Sequence, residues 1–502
     1  MRLGRAVMLA LPLALALAVD FAQAAGPPPR AWANLAARRA ALRLPLTECN
    51  PGWGQESMLC GTFDVYENRA LGSGRRLSLW VVVIPSLSER PEPDPVFYLA
   101  GGPGGSASGA ASWFATELPL RLKRDIVLVD LRGMGGSNPL LCDLVGDRDV
   151  LQNHLRDMYP PELVDECRRE LEQRADLTQY TTANAMADLD DVREWLGYER
   201  INLLALSYGG RAAYAYARAY PDHVRAIAML GPADLEARLP QYHAPLAEKA
   251  FAALCADCRA DSTCNAAFPE FEATLRGLVA RLRDAPAEVT YQHPDREEPE
   301  PLTVTADVFV EALRAALYGE WSRREVPWIV QHAADGDFGP FLDLALPRHP
   351  GEAGAFAEGA YLSYSGAEDA PFIDPQEAAR LAAGTLLGDY RVAQQQRAAA
   401  LWPRGELPAD WFAPVVVEAP TLIIQGAEDP VTGIPHVAPR FANVREVIVP
   451  HGGHVFDGMV GIECVDNLLV RFLESADPVR LETGCVGEMR HQGFKVGVEK
   501  RE

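Results

Sequence analysis

Short apolar runs recur along the first half of the chain, and segments with helical periodicity separate the later ones. The runs span residues 77–84, 96–99, 126–129, 201–206 and 224–230. Runs that are apolar throughout and rich in β-branched residues are typical of strands buried on both faces of a parallel sheet. Their alternation with helical segments predicts an α/β architecture.

The pattern becomes mostly helical from about residue 235 to 415. Within this block, Thr305 is a predicted N-cap for an apolar stripe that begins at Phe309. Strand-like runs then return at 421–425 and 446–449. A helical block inserted between late strands predicts a lid over the C-terminal edge of the sheet, where α/β proteins bind ligands.

Residues 1–24 have the pattern of a secretory signal. Arg2 and Arg5 precede an apolar stretch at 6–19, and a small-residue cleavage site ends at Ala24. The apolar stretch is short for a membrane span, so a retained anchor is the weaker alternative. We therefore expect export to the periplasm or the medium, with cleavage near Ala24 and no stable membrane anchor.

The remaining chain is longer than one hydrophobic core usually supports, so we divide it into segments. A signal peptide at 1–24 precedes a first core part at 25–234. A helical lid at 235–415 is followed by a C-terminal core part at 416–502.

The chain carries 69 acidic and 47 basic residues, for a formal net charge of −22. An acidic surface argues against nucleic acid or anionic lipid as a partner, because both are polyanions. The composition otherwise indicates only solubility.

Ser207 lies between the run at 201–206 and a helix-like stretch at 211–220. A serine at such a junction is typical of a nucleophile elbow, in which a tight turn exposes the hydroxyl at the rim of the sheet. The residues two before and two after it, Ala205 and Gly209, are small enough for that turn. An ordinary strand-to-helix loop is the alternative, and the rest of the chain distinguishes the two.

A serine nucleophile needs an acid and a histidine, which follow it in chain order in this arrangement. Asp429 follows the run at 421–425, and we prefer it to Glu428 because a short side chain before a proline is held more rigidly. His454 follows the last run, and we prefer it to His451 because two glycines let the loop fold back towards the serine.

The oxyanion hole is expected to use the backbone N–H of Tyr208 and a second N–H from the glycine-rich stretch 99–106, at Gly102. A phosphate-binding loop is the alternative for this stretch. It lacks the P-loop lysine and the dinucleotide spacing, so we expect no cofactor.

Nine cysteines in an exported chain predict disulfides with one thiol left over. Proximity in the sequence suggests the pairs Cys49–Cys60, Cys142–Cys167, Cys258–Cys264 and Cys464–Cys485. Cys255 would then stay free. Zinc binding by Cys255 and Cys258 is the alternative, but no second ligand pair at suitable spacing accompanies them, so no metal is expected.

Several motifs together resemble a known family. They are, in order, Gly101-Gly102-Pro103-Gly104-Gly105-Ser106, Asp130-Leu131-Arg132-Gly133-Met134-Gly135-Gly136-Ser137, Ser207-Tyr208-Gly209-Gly210, Asp429-Pro430-Val431-Thr432 and Gly453-His454. Over roughly residues 45–490 the chain is similar to the α/β-hydrolase serine aminopeptidases, relatives of proline iminopeptidase and tripeptidyl aminopeptidase. It looks closest to their exported tripeptidyl-aminopeptidase-like branch. The resemblance implies an α/β-hydrolase fold, with a mostly parallel sheet and a helical lid inserted between late strands.

Two positions depart from the family pattern. Ala205 stands where the elbow usually has its first glycine, a change of one methyl group. Gly366 stands where a cysteine is expected in the lid motif 366–369, which puts substrate recognition in doubt.

An aminopeptidase has to bind a cationic amine, so acids are expected to line its lid. Glu368 and Asp369 belong to the lid motif, and Glu320 follows the predicted end of a lid helix. The alternative is that these are solvated surface carboxylates.

The sequence therefore predicts an exported serine hydrolase acting on a peptide or small ester substrate. The preferred activity is an aminopeptidase that works through Ser207, Asp429 and His454 and forms an acyl-enzyme. A carboxylester hydrolase with the same triad is the alternative, and the intact triad argues against a catalytically inactive binding protein. The sequence does not fix residue specificity or oligomeric state.

Overall fold

The computed structural model describes residues 46–50, 58–349, 355–433 and 438–497. The predicted signal peptide and its cleavage site lie outside these residues. None of the described helices combines the length and the apolar character needed to cross a membrane.

A nine-stranded sheet runs through the described part of the chain. Its strands are β1 (Thr47–Cys49), β2 (Met58–Tyr66), β3 (Arg76–Ile84), β4 (Val96–Leu99), β5 (Ile126–Val129), β6 (Ile201–Leu206), β7 (Val224–Leu230), β10 (Thr421–Gly426) and β11 (Val444–Val449). The spatial order is β1-β2-β3-β5-β4-β6-β7-β10-β11. Pairing is antiparallel from β1 through β3 to β5 and parallel from β5 to β11. The predicted α/β fold with a mostly parallel sheet is confirmed.

Helices accompany the sheet and fill the stretch between β7 and β10. Those of the first half are α1 (Ala111–Thr116), α2 (Pro161–Glu172), α3 (Thr182–Trp195) and α4 (Tyr208–Ala219). Between β7 and β10 lie α5 (His243–Ala260), α6 (Ser262–Ala267), α7 (Phe271–Asp284), α8 (Ala306–Ala316), α9 (Glu320–Arg323), α10 (Val326–Ala334), α11 (Gly339–Ala345), α12 (Glu358–Glu368), α13 (Pro375–Ala382) and α14 (Tyr390–Leu401). The last is α15 (Glu463–Ser475).

The block between β7 and β10 is helical as the sequence predicts, with one difference. An antiparallel hairpin of β8 (Ala287–Tyr291) and β9 (Glu300–Val304) lies within it. Its strands are short and half-exposed, so the apolar pattern did not mark them. The boundaries of the four predicted segments stay a prediction.

Both faces of the sheet are buried. Alternate residues of β6 point to opposite sides, so Leu203 packs with one apolar cluster and Leu204 with another that includes Phe472 of α15. A third cluster, around Phe309 and Ile329, belongs to the helical block. Each large apolar side chain buried in this way contributes about 1.5–3 kcal/mol.

The structure joins the four cysteine pairs suggested by the sequence: Cys49–Cys60, Cys142–Cys167, Cys258–Cys264 and Cys464–Cys485. Cys255 is the free thiol of the described chain, and it is buried. The Cys464–Cys485 bond ties α15 to the C-terminal segment.

A cluster of charged side chains connects that C-terminal segment to the helical block. His491 Nδ1 lies 2.7 Å from Glu320 Oε2, and His491 Nε2 lies 3.2 Å from Asp257 Oδ2. Arg323 pairs with Asp257 and lies 3.0 Å from Glu428 Oε2 in the loop after β10. We call these five residues the His491 cluster. It holds the loop that precedes Asp429 against helices α5 and α9.

The His491 cluster should make stability depend on pH. Burial lowers the pKa of His491, but the carboxylates of Asp257 and Glu320 outweigh it, so the net pKa is raised. A raised folded-state pKa means that the stabilisation is complete below the unfolded value of about 6.5. It is lost as pH rises through the folded value. We expect His491→Gln to be less stable than the wild type at pH 6 and to approach it as pH rises.

Urea unfolding of the wild type and of His491→Gln, from pH 6 upward, measures the difference between their free energies of unfolding. Arg323 and His451 also face the imidazole ring of His491. A difference that stays constant with pH, or that grows as pH rises, would contradict the assignment to His491.

The disulfides should contribute measurably to stability. Cys142 and Cys167 are 25 residues apart, and closing a loop of that size is worth roughly 3 kcal/mol in the chain-entropy description. The variant Cys142→Ala/Cys167→Ala should therefore unfold at lower urea than the wild type. A Cys255→Ala variant, which keeps every bridge, is the control for reductant sensitivity. Indifference of the wild-type midpoint to reductant would overturn the expectation.

Candidate active site

Ser207 occupies a strained turn between β6 and α4. Its backbone has φ 57° and ψ −120°, a conformation that non-glycine residues rarely adopt and that costs on the order of 1–3 kcal/mol. A side chain at Gly209 would lie 2.1 Å from the carbonyl oxygen of Leu99, so only glycine lets helix α4 approach β4 this closely. The sharp turn leaves the serine half-buried at the end of the strand.

The ends of β6, β7 and β10 meet beside this turn. The N–H of Ser207 donates to the carbonyl of Leu230 at 2.9 Å, and the N–H of Gly231 donates to the carbonyl of Ile424 at 2.9 Å. A Cβ on Gly231 would lie 3.2 Å from His454 Nδ1. The carboxyl ends of neighbouring parallel strands therefore bring the serine and the histidine to one edge of the sheet.

Asp429 and His454 are joined by a hydrogen bond, with His454 Nδ1 2.8 Å from Asp429 Oδ2. Both side chains are almost completely buried. Burial raises the pKa of Asp429, but His454 and Thr432 outweigh it and lower the value to about 2. The carboxylate is therefore ionised and accepts the Nδ1 proton, which leaves Nε2 as the basic nitrogen.

Thr432 completes the surroundings of this carboxylate, and the sequence analysis gave it no role. Its N–H donates to Asp429 Oδ1 at 2.9 Å, and its hydroxyl lies 2.7 Å from Asp429 Oδ2. The hydroxyl is also 2.9 Å from the carbonyl of Gly231 and 3.3 Å from His454 Nδ1. A threonine three residues after an aspartate is the signal that could have identified it, since this spacing allows an Asx-type turn.

The alternatives weighed from the sequence lie elsewhere. His451 is exposed, and its Nδ1 lies 3.2 Å from Glu428 Oε1. Glu428 in turn faces Arg323. The structure thus brings together Asp429 and His454. Glu428 belongs instead to the His491 cluster, and His451 lies beside that cluster.

The two residues predicted to supply the oxyanion hole belong to segments that adjoin the serine. Tyr208 is the first residue of α4, where a helix leaves its N–H groups without intrahelical acceptors. The glycine-rich loop follows β4, and a Cβ on Gly101 would lie 3.2 Å from the Cβ of Ser207. Gly102, with φ 124°, is the next residue of that loop.

The Asp130 motif supports the glycine-rich loop. Asp130 accepts hydrogen bonds from the hydroxyls of Ser106 and Ser108, at 3.0 and 2.8 Å. Arg132, which is fully buried, forms a two-pronged ion pair with Asp188 at 2.7 and 2.8 Å. These contacts give the Asp-x-Arg-Gly motif a positioning role behind the loop.

Glu368 and Asp369 lie at the end of α12 and are buried, with Asp369 against helix α4. Glu368 accepts hydrogen bonds from the N–H and the hydroxyl of Thr182, at 2.7 and 2.8 Å. Asp369 makes two hydrogen bonds with Arg211 of α4, at 2.7 and 2.8 Å. The hydroxyl of Thr182 also lies 2.7 Å from that of Tyr208. Both carboxylates are thus occupied by partners inside the protein.

Burial raises the pKa of Glu368 to about 7, although Arg211 and Thr182 act in the opposite direction. Glu320, the third acid singled out from the sequence, is buried and pairs with His491 and the N–H of Gln492. All three predicted amine-binding acids are thus buried, and none is a solvated surface carboxylate. None of them lines the cavity that lies next to His454.

A cavity of about 410 Å³ borders His454. Leu206, directly before the serine, and Leu230 line it on the sheet side, and Trp113 and Trp321 contribute aromatic surface. Ser207 Oγ makes no hydrogen bond to a described residue, and such contacts often tighten only when substrate binds.

Four side chains of suitable type lie close enough to hold a metal ion: Asp257, Glu428, His451 and His491, with ligand atoms within 4.8 Å of one another. Arg323 pairs with two of these carboxylates, so a guanidinium already supplies positive charge there. The expectation that no metal takes part stays a prediction.

Comparison with known proteins agrees with this geometry. A sequence model of the α/β hydrolase fold family matches residues 94–456. The chain is 33% identical over 182 residues to serine protease Hip1 of Mycobacterium tuberculosis (strain ATCC 25618 / H37Rv), covering 33% of this chain and 35% of that protein. It is 30% identical over 217 residues to tripeptidyl aminopeptidase of Streptomyces coelicolor, covering 39% of each.

A proline iminopeptidase of Neisseria gonorrhoeae is 27% identical over 144 residues, covering 29% of this chain and 34% of the relative. The chain thus spans only about a third to two fifths of the length of these curated relatives. The resemblance to hydrolases named as peptidases is confirmed. Since the family match extends over most of its length, this protein belongs to the α/β hydrolase fold family.

Proposed function

We propose that the protein is an exported serine hydrolase that releases residues or short peptides from the free N-termini of peptides. The observation that carries the proposal is the hydrogen bond between Asp429 and His454 beside the strained turn at Ser207. The relatives named as peptidases favour an amide substrate.

In the proposed reaction, Ser207 Oγ attacks the carbonyl carbon of the scissile bond while its proton passes to His454 Nε2. Ionised Asp429 holds the ring through Nδ1 and stabilises the imidazolium. The oxyanion accepts hydrogen bonds from the N–H groups of Tyr208 and Gly102. The imidazolium then protonates the leaving amine, and the C–N bond breaks to give the acyl-enzyme.

Water completes the cycle. His454 Nε2 takes a proton from water, the resulting hydroxide attacks the acyl carbonyl, and Ser207 leaves as its alcohol when the imidazolium returns the proton. The same sequence of steps hydrolyses an ester, so the triad alone does not separate peptidase from esterase.

Export after cleavage near Ala24 is part of the proposal. Four disulfides are compatible with an oxidising compartment, where such bonds form and persist.

Ser207 is expected to react with a fluorophosphonate probe, with the adduct located by mass spectrometry. Ser207→Ala should lose labelling and should lower kcat on the order of 10⁶-fold, because the covalent route disappears. Labelling of Ser207→Ala equal to that of the wild type would exclude the assignment.

His454→Ala should lower kcat by several orders of magnitude, because the general base is lost. The matched control is His451→Ala, which removes an imidazole from the same loop and should keep most of the activity. If the control variant were inactive and His454→Ala were active, the base would have been assigned to the wrong histidine.

Substrates with a free N-terminus, with an acetylated N-terminus and with an ester bond distinguish a peptidase from an esterase. We expect the wild type to cleave a peptide anilide with a free N-terminus and to discriminate strongly against its N-acetylated form. Steady-state kinetics on both, with a small neutral ester as reference, measure this. Equal turnover of the free and acetylated peptides would indicate a broader peptidase, and activity confined to the ester would indicate the carboxylester hydrolase.

A further inference from the structure

Three acids that the proposed triad does not use line the cavity at His454. They are Glu117 at the end of α1, Asp457 in the loop after His454, and Asp466 on α15. Glu117 comes from the segment between β4 and β5, and the other two acids come from the segment that follows β11. The fold therefore assembles one negatively charged wall next to the predicted base.

No cation balances these acids within the described chain. None of the three forms an ion pair with a described lysine, arginine or histidine, and apart from His454 the cavity is lined by no basic side chain. Asp466 is half-buried, and burial together with Asp457, Glu463 and Glu117 raises its pKa. The charged neighbours that raise this pKa are all acids. A positive charge in the cavity would therefore relieve the repulsion between the carboxylates.

The predicted base is itself one of the residues that line this cavity. The His454 side chain is 6% exposed, and its Nδ1 is occupied by Asp429. Its Nε2 has no hydrogen-bond partner among the described residues. A ligand in this cavity therefore lies next to the predicted base.

The remaining lining suits an organic cation better than a metal ion. Tyr98, Trp113 and Trp321 supply aromatic rings, which attract ammonium groups through their faces. Trp321 is 60% exposed, so a large apolar side chain stands at the mouth of the cavity. The described groups that converge closely enough for a metal ion lie instead around Glu428.

We propose that the cavity bounded by Glu117, Asp457 and Asp466 binds the ammonium group of a peptide substrate during hydrolysis. We call it the acidic cavity. The inference rests on the proposed function, because it assigns the cationic end of the substrate to a place beside His454. The ammonium group can be the N-terminal α-amine or the end of a lysine side chain, and the experiment separates the two.

The test compares Asp466→Asn and Glu117→Gln with a matched control, Glu463→Gln. Glu463 is an exposed acid on the same helix as Asp466 and does not line the acidic cavity. Each variant is assayed on a free-amine peptide, on its N-acetylated form, on an N-acetylated peptide carrying lysine, and on a small neutral ester.

Asp466→Asn should raise KM for the cationic substrate about tenfold, the equivalent of one charge-assisted contact, with kcat on the neutral ester unchanged. Glu117→Gln, at an exposed position that tolerates substitution, should change KM in the same direction. If acetylation of the N-terminus abolishes the effect, the bound cation is the α-amine. If KM also rises for the N-acetylated peptide that carries lysine, the bound cation is the lysine side chain.

A second measurement does not depend on peptide cleavage. Hexylammonium should inhibit ester hydrolysis by the wild type competitively, hexanol should inhibit far less, and Asp466→Asn should lose the difference. Unchanged KM values and unchanged ammonium inhibition in both variants would overturn the acidic cavity. Absence of any Ser207-dependent hydrolysis would instead overturn the proposed function.

Discussion

The backbone conformation at Ser207 is the constraint on which the rest of the site depends. A residue with positive φ at the end of a buried strand is maintained only if its surroundings fix both of its peptide groups. The N–H of Ser207 is bound to Leu230, and its carbonyl accepts hydrogen bonds from Gly210 and Ala233. Strand β7 therefore holds the turn from one side and the start of α4 from the other.

A buried ion pair and a hydrogen-bonded buried carboxylate extend this constraint to the helical block. Arg211 on the elbow helix binds Asp369 at the end of α12, and Glu368 binds Thr182 at the start of α3. Removing one partner of such a pair would leave an uncompensated buried charge, which costs about 3–5 kcal/mol. Glu368 and Asp369 thus fix the helical block onto helices α3 and α4, and these contacts explain why the two acids are absent from the cavity wall.

Local pattern was enough to predict much of the fold and the relative placement of the serine, acid and histidine. Strands that are apolar throughout, together with loops carrying Ser207, Asp429 and His454 at their ends, place these side chains at one sheet edge by topology alone. Proximity along the chain was likewise enough for the four disulfides.

Pairings between distant segments could not be predicted in this way. Glu368 finds Thr182 almost two hundred residues earlier in the chain, and a carboxylate on a helix looks the same in sequence whether it is buried or solvated. Glu117 and Asp466 line one cavity, but they lie far apart in the chain, and only the folded sheet brings their helices to the same face. Local periodicity carries no information about such contacts.

The pairing of β7 with β10 has a consequence for how the protein is made. Ile227 and Thr421 are register partners although roughly 190 residues separate them in the chain, and contacts of such long range form late in folding. After Ser207 and helix α4 have been synthesised, the ribosome still has to synthesise the helical block before it reaches Asp429 and His454. The nascent chain consequently carries Ser207 without the predicted base for about half of its synthesis. The candidate site is complete only when β10 has paired with β7 and β11 with β10.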